Sequence, residues 1–270
     1  MMGYLSPLKA EEGYLYFLDA REYGPDTFSD EGIVSGSLCR VPLTGGEIEV
    51  LSGPGIRVIG WEEGRIFYTK ESFWYDIGEE SQQMPVEEGL YRCDANGENE
   101  VKLASLETGS QNAHYVFRHM DDGVIYGVYY DYSLETGETS AVLKRVTAWG
   151  EALADIAIPD ATLCAADDGK LVFAQYYADE TETGAYAQAD KILLLDTGDG
   201  SIRTLNDERS DILFFTEGEP SMYLDEDALY WVGYNTRLAA MEFYCMNLED
   251  GTVLLLANGY SWANEEEAVG

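Results

Sequence analysis

Five times along this chain a short apolar run is followed by a glycine-centred turn and a second apolar run, at nearly constant spacing. The clearest copy is GLYRCDANGENEVKL, Gly89 to Leu103, where Asn96-Gly97 separates Leu90–Cys93 from Glu100–Leu103. Asn and Gly tolerate the positive φ that tight turns demand, so the stretch reads as a β-hairpin. The same unit recurs as SLCRVPLTGGEIEVL, VLKRVTAWGEALADI, ILLLDTGDGSIRTL and FYCMNLEDGTVLLL. Its turn glycines, Gly46, Gly97, Gly150, Gly200 and Gly251, are 51, 53, 50 and 51 residues apart. A unit of this size cannot cover its own apolar faces, so the repeats must bury them against one another.

A second element precedes each hairpin: Gly13-YLYFLD, Gly64-RIFYTK, Gly123-VIYGVYY, Gly169-KLVFAQYY and Asp227-ALYWVGY. Each follows an acidic residue and runs into aromatic, β-branched and aliphatic residues, the composition of a strand. Ahead of these lie shorter apolar segments at Tyr4–Leu8, Ile56–Trp61, His114–Met120, Ala161–Ala166 and Ser221–Leu224. No segment shows a capped helical period. The reading is all-β: a β-propeller of five four-stranded antiparallel blades, one domain over 1–270. The repeats cover about 1–53, 54–105, 112–158, 160–206 and 211–257. Six blades are the alternative, if residues 257–270 and the N-terminal segment build an incomplete extra one.

GRIFYTK and DALYWVG resemble the YWTD-type strand of low-density-lipoprotein-receptor-like propellers. LYRCDANGENEVKL and FYCMNLEDGTVLLL are similar to the hairpin that follows in those propellers and in TolB-like ones. The resemblance covers all five repeats, although none carries the full Tyr-Trp-Thr-Asp motif. It implies a propeller of bacterial surface type that binds other proteins, and it brings no catalytic motif.

The chain carries 16 basic and 51 acidic residues, a formal charge of −35. Such a field repels nucleic acid and anionic lipid, and attracts cations, basic proteins and cationic ligands. A solvated acidic surface that maintains solubility is the simpler reading. No apolar run approaches the ~18 residues of a membrane helix. The opening MMGYLSPLKAEEGYLYF lacks a basic region leading into an apolar one, so as written the chain reads as cytoplasmic, or as cell-surface or extracellular if a leader has been removed. Cys39, Cys93, Cys164 and Cys245 are 54, 71 and 81 residues apart, with no C-x-x-C pair, so buried free thiols are expected and zinc-ribbon or thioredoxin-like chemistry has no support.

From second-strand start to turn glycine the copies measure 33, 33, 27, 31 and 24 residues. With the hairpin constant, the variation falls in one loop per blade: Asp19–Ser35, Lys70–Glu88, Asp131–Ser140, Ala178–Ala189 and Gly233–Met241. These loops share one end of their blades, where function tolerates variation. They hold 17 acids against three bases, Arg21, Lys70 and Arg237. Aromatic residues gather there too, and Trp74, Tyr75, Tyr130, Tyr132, Tyr177 and Tyr234 are the candidate ligand-binding residues. Carboxylates and rings together suit a basic protein, a cationic peptide or a carbohydrate. Rings that cap the core and acids that solvate the loops are the structural alternative.

No cofactor or metal site is expected beyond weak attraction of calcium, because DYSLETGET (Asp131–Thr139) and ADETETGAY (Ala178–Tyr186) do not keep the D-x-[DN]-x-[DN]-G spacing. His114 and His119 are five apart on a predicted strand and so point to opposite faces. An enzyme is the second reading: a glycoside hydrolase using paired carboxylates.

Overall fold

The structure, a computed structural model, describes residues 5–23, 36–77, 80–106, 113–133, 139–178, 187–205, 212–213, 222–235 and 240–261. They form five sheets of four or five strands and one separate two-stranded hairpin. The first orders β1 (Leu5–Glu11), β2 (Tyr14–Asp19), β3 (Ser37–Pro42) and β4 (Glu49–Ser52). The second holds β5 (Ile56–Glu62) and β6 (Arg65–Lys70), followed after an inserted hairpin, β7 (Phe73–Ile77) with β8 (Glu80–Met84), by β9 (Gly89–Asp94) and β10 (Val101–Ala104). The third runs β11 (Ala113–Asp121), β12 (Val124–Tyr132), β13 (Thr139–Thr147), β14 (Ile156–Ile158). The fourth runs β15 (Thr162–Asp167), β16 (Lys170–Ala178), β17 (Ala187–Asp196), β18 (Ile202–Thr204). In the fifth, β19 (Ile212–Leu213) and β20 (Met222–Asp225) both pair with β21 (Ala228–Asn235), which continues to β22 (Ala240–Asn247) and β23 (Val253–Ser261). The segment expected at Ser221–Leu224 is thus β20, and β19 is an addition that the repeat did not announce.

The local causes repeat with the sheets. Two residues join each first strand to the second, and the acidic one, Glu12, Glu63, Asp122, Asp168 or Glu226, has φ of 42–49°. A glycine with φ of 70–85° follows in the first four copies. Two consecutive positive φ values are the type I′ turn, whose twist matches that of the flanking strands. The hairpin turns carry a left-handed glycine at Gly97, Gly150, Gly200 and Gly251; in the first copy Gly45, at φ 85°, takes that role and Gly46 is nearly extended. The two turns are tied in every sheet. Leu43, Ala95, Ala148, Thr197 and Leu248 donate their N–H to the carbonyls of Gly13, Gly64, Gly123, Gly169 and Asp227, at 2.8–3.0 Å.

By contacts the chain divides into two units, one of residues 1–126 and 145–154, the other of 127–144 and 155–270, the third sheet contributing to both. In the first unit Tyr16, Leu18 and Leu38 pack against Ile56, Ile66, Tyr68 and Tyr91, while Phe67 and Leu90 on the opposite side of the second sheet pack against Phe117, Ile125 and Val146. The middle of β6 is therefore buried on both faces, which is why RIFYT reads as a continuous apolar run rather than an alternation. In the second unit Val172, Ala174, Ile192 and Leu194 meet Leu229, Trp231, Tyr244 and Met246. All four cysteines are free thiols, buried except for the half-buried Cys245.

Candidate functional site

The two ends of each sheet differ in how they are used. At the turn end, arginines bridge consecutive sheets. Arg40 donates from Nη1 to the Ala95 carbonyl at 3.0 Å, an oxygen that also accepts from the Tyr16 hydroxyl at 3.1 Å. Arg92, one repeat later, donates to the Ala148 carbonyl at 2.9 Å, and Arg203 of β18 donates to the Leu248 carbonyl. Arg92 and Arg65 also place their guanidinium carbons 4.7 Å from the centroid of the Trp149 ring. Acids of the first turn act alike: Asp167 accepts the Glu226 N–H at 2.7 Å, and Glu62 accepts that of Gly123. Burial, with Glu63 and Asp122 nearby, pushes the Glu62 carboxyl above its ordinary range. Sequence reasoning missed these latches, although their signal is visible: LCRV, LYRC and LKRV put Arg40, Arg92 and Arg145 at one repeat position. Arg145 is turned to the Ala154 carbonyl of its own hairpin, at 2.8 Å.

The loop end is where the candidate ligand-binding residues lie. In the first unit the expected Lys70–Glu88 loop is largely ordered as the β7–β8 hairpin. Phe73-Trp74-Tyr75-Asp76-Ile77 alternates sides as a strand must. Phe73 and Tyr75 point inward and meet Tyr23 edge-on, at centroid distances of 5.5 and 5.2 Å and interplanar angles of 73° and 82°. Phe73 is fully buried. The hairpin base is anchored by Glu71 N–H to the Gly55 carbonyl at 2.8 Å, Ser72 N–H to Glu88 at 3.1 Å and Val86 N–H to the Ser72 hydroxyl at 3.3 Å. Trp74 faces the other way, 41 % exposed, on the side shared with Asp76 and their cross-strand partners Gln83 and Ser81. Ser81 donates to Asp76 Oδ1 at 2.6 Å. Tyr75 thus belongs to the support and Trp74 to the surface.

In the second unit Tyr130 spends its hydroxyl on the Ala161 carbonyl at 2.8 Å, joining β12 to the start of the fourth sheet. Tyr132, two residues on, is 43 % exposed. Tyr177 and Tyr234 have their backbones on β16 and β21, with side chains outside the described residues, as are most of Asp131–Thr139 and Ala178–Tyr186. Both histidines fall on β11 as expected; His119 is half-buried, and the His114 side chain lies outside the description. One residue had no signal in the sequence: Glu242 on β22 is 3 % exposed and accepts the Tyr244 hydroxyl.

A depression of about 400 Å³ at the end of β2 is lined by Asp19, Arg21, Glu22, Ser37, Cys39 and Val50. The Arg21 guanidinium, hydrogen-bonded to Asp19, holds that carboxyl below its usual range. Burial pushes the Cys39 thiol up to about 11. Between the first two sheets, Glu100 accepts from Tyr68 at 2.5 Å, Ser52 at 2.9 Å and Lys70 at 2.8 Å. Burial works to raise the Glu100 pKa, and the three donors more than offset it, leaving it lowered. Tyr68 is pushed up by burial and by its bond to Glu100, and burial takes the Cys93 thiol to about 11. These groups are held in their resting protonation states, the reverse of what an activated nucleophile or acid needs. Among the described residues no three of His, Cys, Asp and Glu are grouped to hold a metal ion.

No protein-family model and no curated protein matches the sequence. Solved structures do. One from a structural and mechanistic analysis of two prolyl endopeptidases aligns with a TM-score of 0.54 at 12% identity, over 96% of this chain and 36% of that one. The fold is a five-bladed β-propeller. Also similar are a chain of a nidogen/laminin complex (TM-score 0.45, 13% identity, 95% of this chain and 78% of that one) and TolB from Acinetobacter baumannii (0.47, 13%, 94% and 55%). This propeller spans about a third of the endopeptidase chain and about half of TolB.

Proposed function

We propose that this propeller is a non-catalytic recognition module that binds a positively charged segment of another protein at the loop end of its blades. The observation that carries the reading is how the two signs of charge are placed. Arg40, Arg92 and Arg203 are consumed between sheets, and Lys70, Lys102, Lys144 and Lys170 are paired with Glu100, Glu87, Asp155 and Asp227 at 2.5–3.0 Å. With 51 acids in the chain, most carboxylates have no cation of their own to meet. Each unit adds an exposed ring to that unbalanced charge at its own loops, Trp74 in the first and Tyr132 in the second. A partner that brings cations gains charge-assisted hydrogen bonds and ring contacts together.

A glycosidase needs one carboxyl raised to act as acid beside another kept ionised. In the β2 depression the lowered Asp19 meets only the second requirement, and its carboxylate is already held by Arg21, which leaves recognition the better-supported reading. Calorimetric titration with hexa-arginine at low and high salt tests the reading. Binding that weakens with salt, and weakens further when Trp74 and Tyr132 are both replaced by Ala, is expected. Lack of binding to the unaltered protein at low salt would refute it.

A further inference from the structure

We infer that the fifth sheet is a self-association surface: the side that would meet a following sheet takes the same side of a second copy, packed face to face across a two-fold axis. Corresponding strand positions carry the argument. In the first unit Tyr16 of β2 and Leu38 of β3 pack against the second sheet, and Phe67 of β6 and Leu90 of β9 against the third, all at 0–1 % exposure. In the second unit Val172 of β16 and Ile192 of β17 pack in the same way against the fifth sheet, both at 0 %. The fifth sheet carries Tyr230 of β21 and Phe243 of β22 at these positions. Its other side, with Leu229, Trp231, Tyr244 and Met246, is spent on the fourth sheet. Phe243 is 41 % exposed.

This side is apolar across the width of the sheet. Tyr223, Tyr230, Cys245 and Leu254 are successive cross-strand partners from β20 to β23, so their side chains leave one face. Tyr223 is 65 % exposed and Leu254 58 %. Leu256, the extra residue of the β22–β23 bulge, is half exposed, whereas its counterparts Leu51 in β4 and Leu103 in β10 pack into the cores between sheets. Short length and charge ordinarily keep an outer strand out of contact. The outer strands β4, β10, β14 and β18 have four, four, three and three residues; β23 has nine, and VLLLANGYS carries no charge.

The occupant follows from charge. A body with a formal charge of −35 meets its own copy where carboxylates do not face one another. A patch that contacts its own two-fold image must be self-complementary; rings and leucines are, and an acidic surface is not. Asp225, exposed at the turn end of β20, stands outside the patch. A cationic segment of the kind proposed for the loops would find no carboxylate among these rings and leucines. Self-association works against repulsion between two acidic bodies, so salt should strengthen it, the reverse of its effect on loop-end recognition.

Sedimentation velocity over a wide range of protein concentration, at low and high salt, tests the surface. The whole chain is compared with F243E, L254E and the control L43E, which adds the same charge at an exposed leucine of the first hairpin turn. The unaltered protein should pass reversibly from one chain to two as concentration rises, at lower concentration in high salt. F243E and L254E should each raise the dissociation constant about tenfold or more, and L43E less than about threefold. Leu254 is more than half exposed, so L254E keeps the test valid even where circular dichroism shows F243E to be misfolded. One chain at every concentration and salt, a mass that grows past two copies, or equal weakening by L254E and L43E would overturn the proposal. Loop-end recognition stands apart from each of these outcomes, because it is read from hexa-arginine binding at other residues.

Discussion

Removal of one latch puts the account of this propeller at risk in a measurable way. Arg92 makes two contacts with the next blade: a hydrogen bond of 2.9 Å from its guanidinium to the Ala148 carbonyl, and a face contact 4.7 Å from the Trp149 centroid. A hydrogen bond with a charged partner contributes about 1.5–3 kcal/mol. Trp149 is 65 % exposed, which puts the ring contact at the low end, about 0.5–1 kcal/mol. Arg92→Ala should therefore cost about 2–4 kcal/mol, part of it from the Ala148 carbonyl left without its donor. For a chain of this size each kcal/mol moves Tm by roughly 2–4 °C, so a fall of about 4–16 °C is expected. Thermal and urea unfolding followed by near-ultraviolet circular dichroism give both quantities. Arg92→Lys should recover part of the loss, and a double-mutant cycle with Trp149→Ala should isolate a coupling of about 0.5–1 kcal/mol. A loss under about 0.5 kcal/mol for Arg92→Ala would refute the latch.

Gly97→Ala should destabilise more than Gly200→Ala: both glycines are left-handed, at φ 81° and 74°, but a Cβ at Gly97 would lie 2.9 Å from the Leu51 Cα, whereas none at Gly200 meets an atom within 4 Å. About 1 kcal/mol is expected at Gly200 and about 2–4 kcal/mol at Gly97, read from urea midpoints; equal losses would show that the sheets do not approach there. Cys39 and Cys93, both buried and shifted to about 11, should resist iodoacetamide at pH 8 until urea unfolds the protein, and labelling in the native state by mass spectrometry would contradict their placement. Stability should peak at mildly acidic pH. Glu62 has a raised folded pKa, so the folded state binds more protons and gains stability as pH falls from neutral; Asp19 and Glu100 have lowered ones, so their contribution, complete above the ordinary carboxylate range, is lost as pH drops below that range through their folded values. A Tm that rises steadily from pH 4 to 8 would overturn this assignment.

Much of the fold was legible because its causes are local. A φ-positive glycine at steps of about fifty residues, an acid–glycine turn before four of the five aromatic strands and doubly buried runs such as RIFYT each dictate structure without reference to distant residues. The Arg latches were harder to see because an arginine in a strand looks like a solvated edge until the neighbouring sheet supplies Ala95 or Ala148 as its acceptor. In the candidate site, reading 70–88 as a loop hid the ordering of FWYDI into a strand, and with it the division of labour between Tyr75 and Trp74. Tyr130, chosen for its ring, proved to hold a backbone carbonyl. Glu242 carries no sequence mark at all, since an acid on a strand reads as solvated until the Tyr244 hydroxyl is found donating to it in the interior.

The latches and the loops bear on function through the same scarcity. A chain with 16 basic residues that commits several to joining its blades keeps few to neutralise its loops. Acidic self-repulsion opposes compaction, so arginines placed where one blade meets the next meet carboxylates and carbonyls at the point where repulsion would otherwise open the fold. At the opposite end Arg21 meets Asp19 and Lys102 meets Glu87, but the loops' 17 acids far outnumber their three bases. A cationic partner there would supply the missing countercharge, and by linkage its binding would also stabilise the fold. Hexa-arginine should therefore raise Tm as well as bind, and the rise should shrink when Trp74 is replaced but persist in Arg92→Ala, whose lesion lies at the other end of the blade.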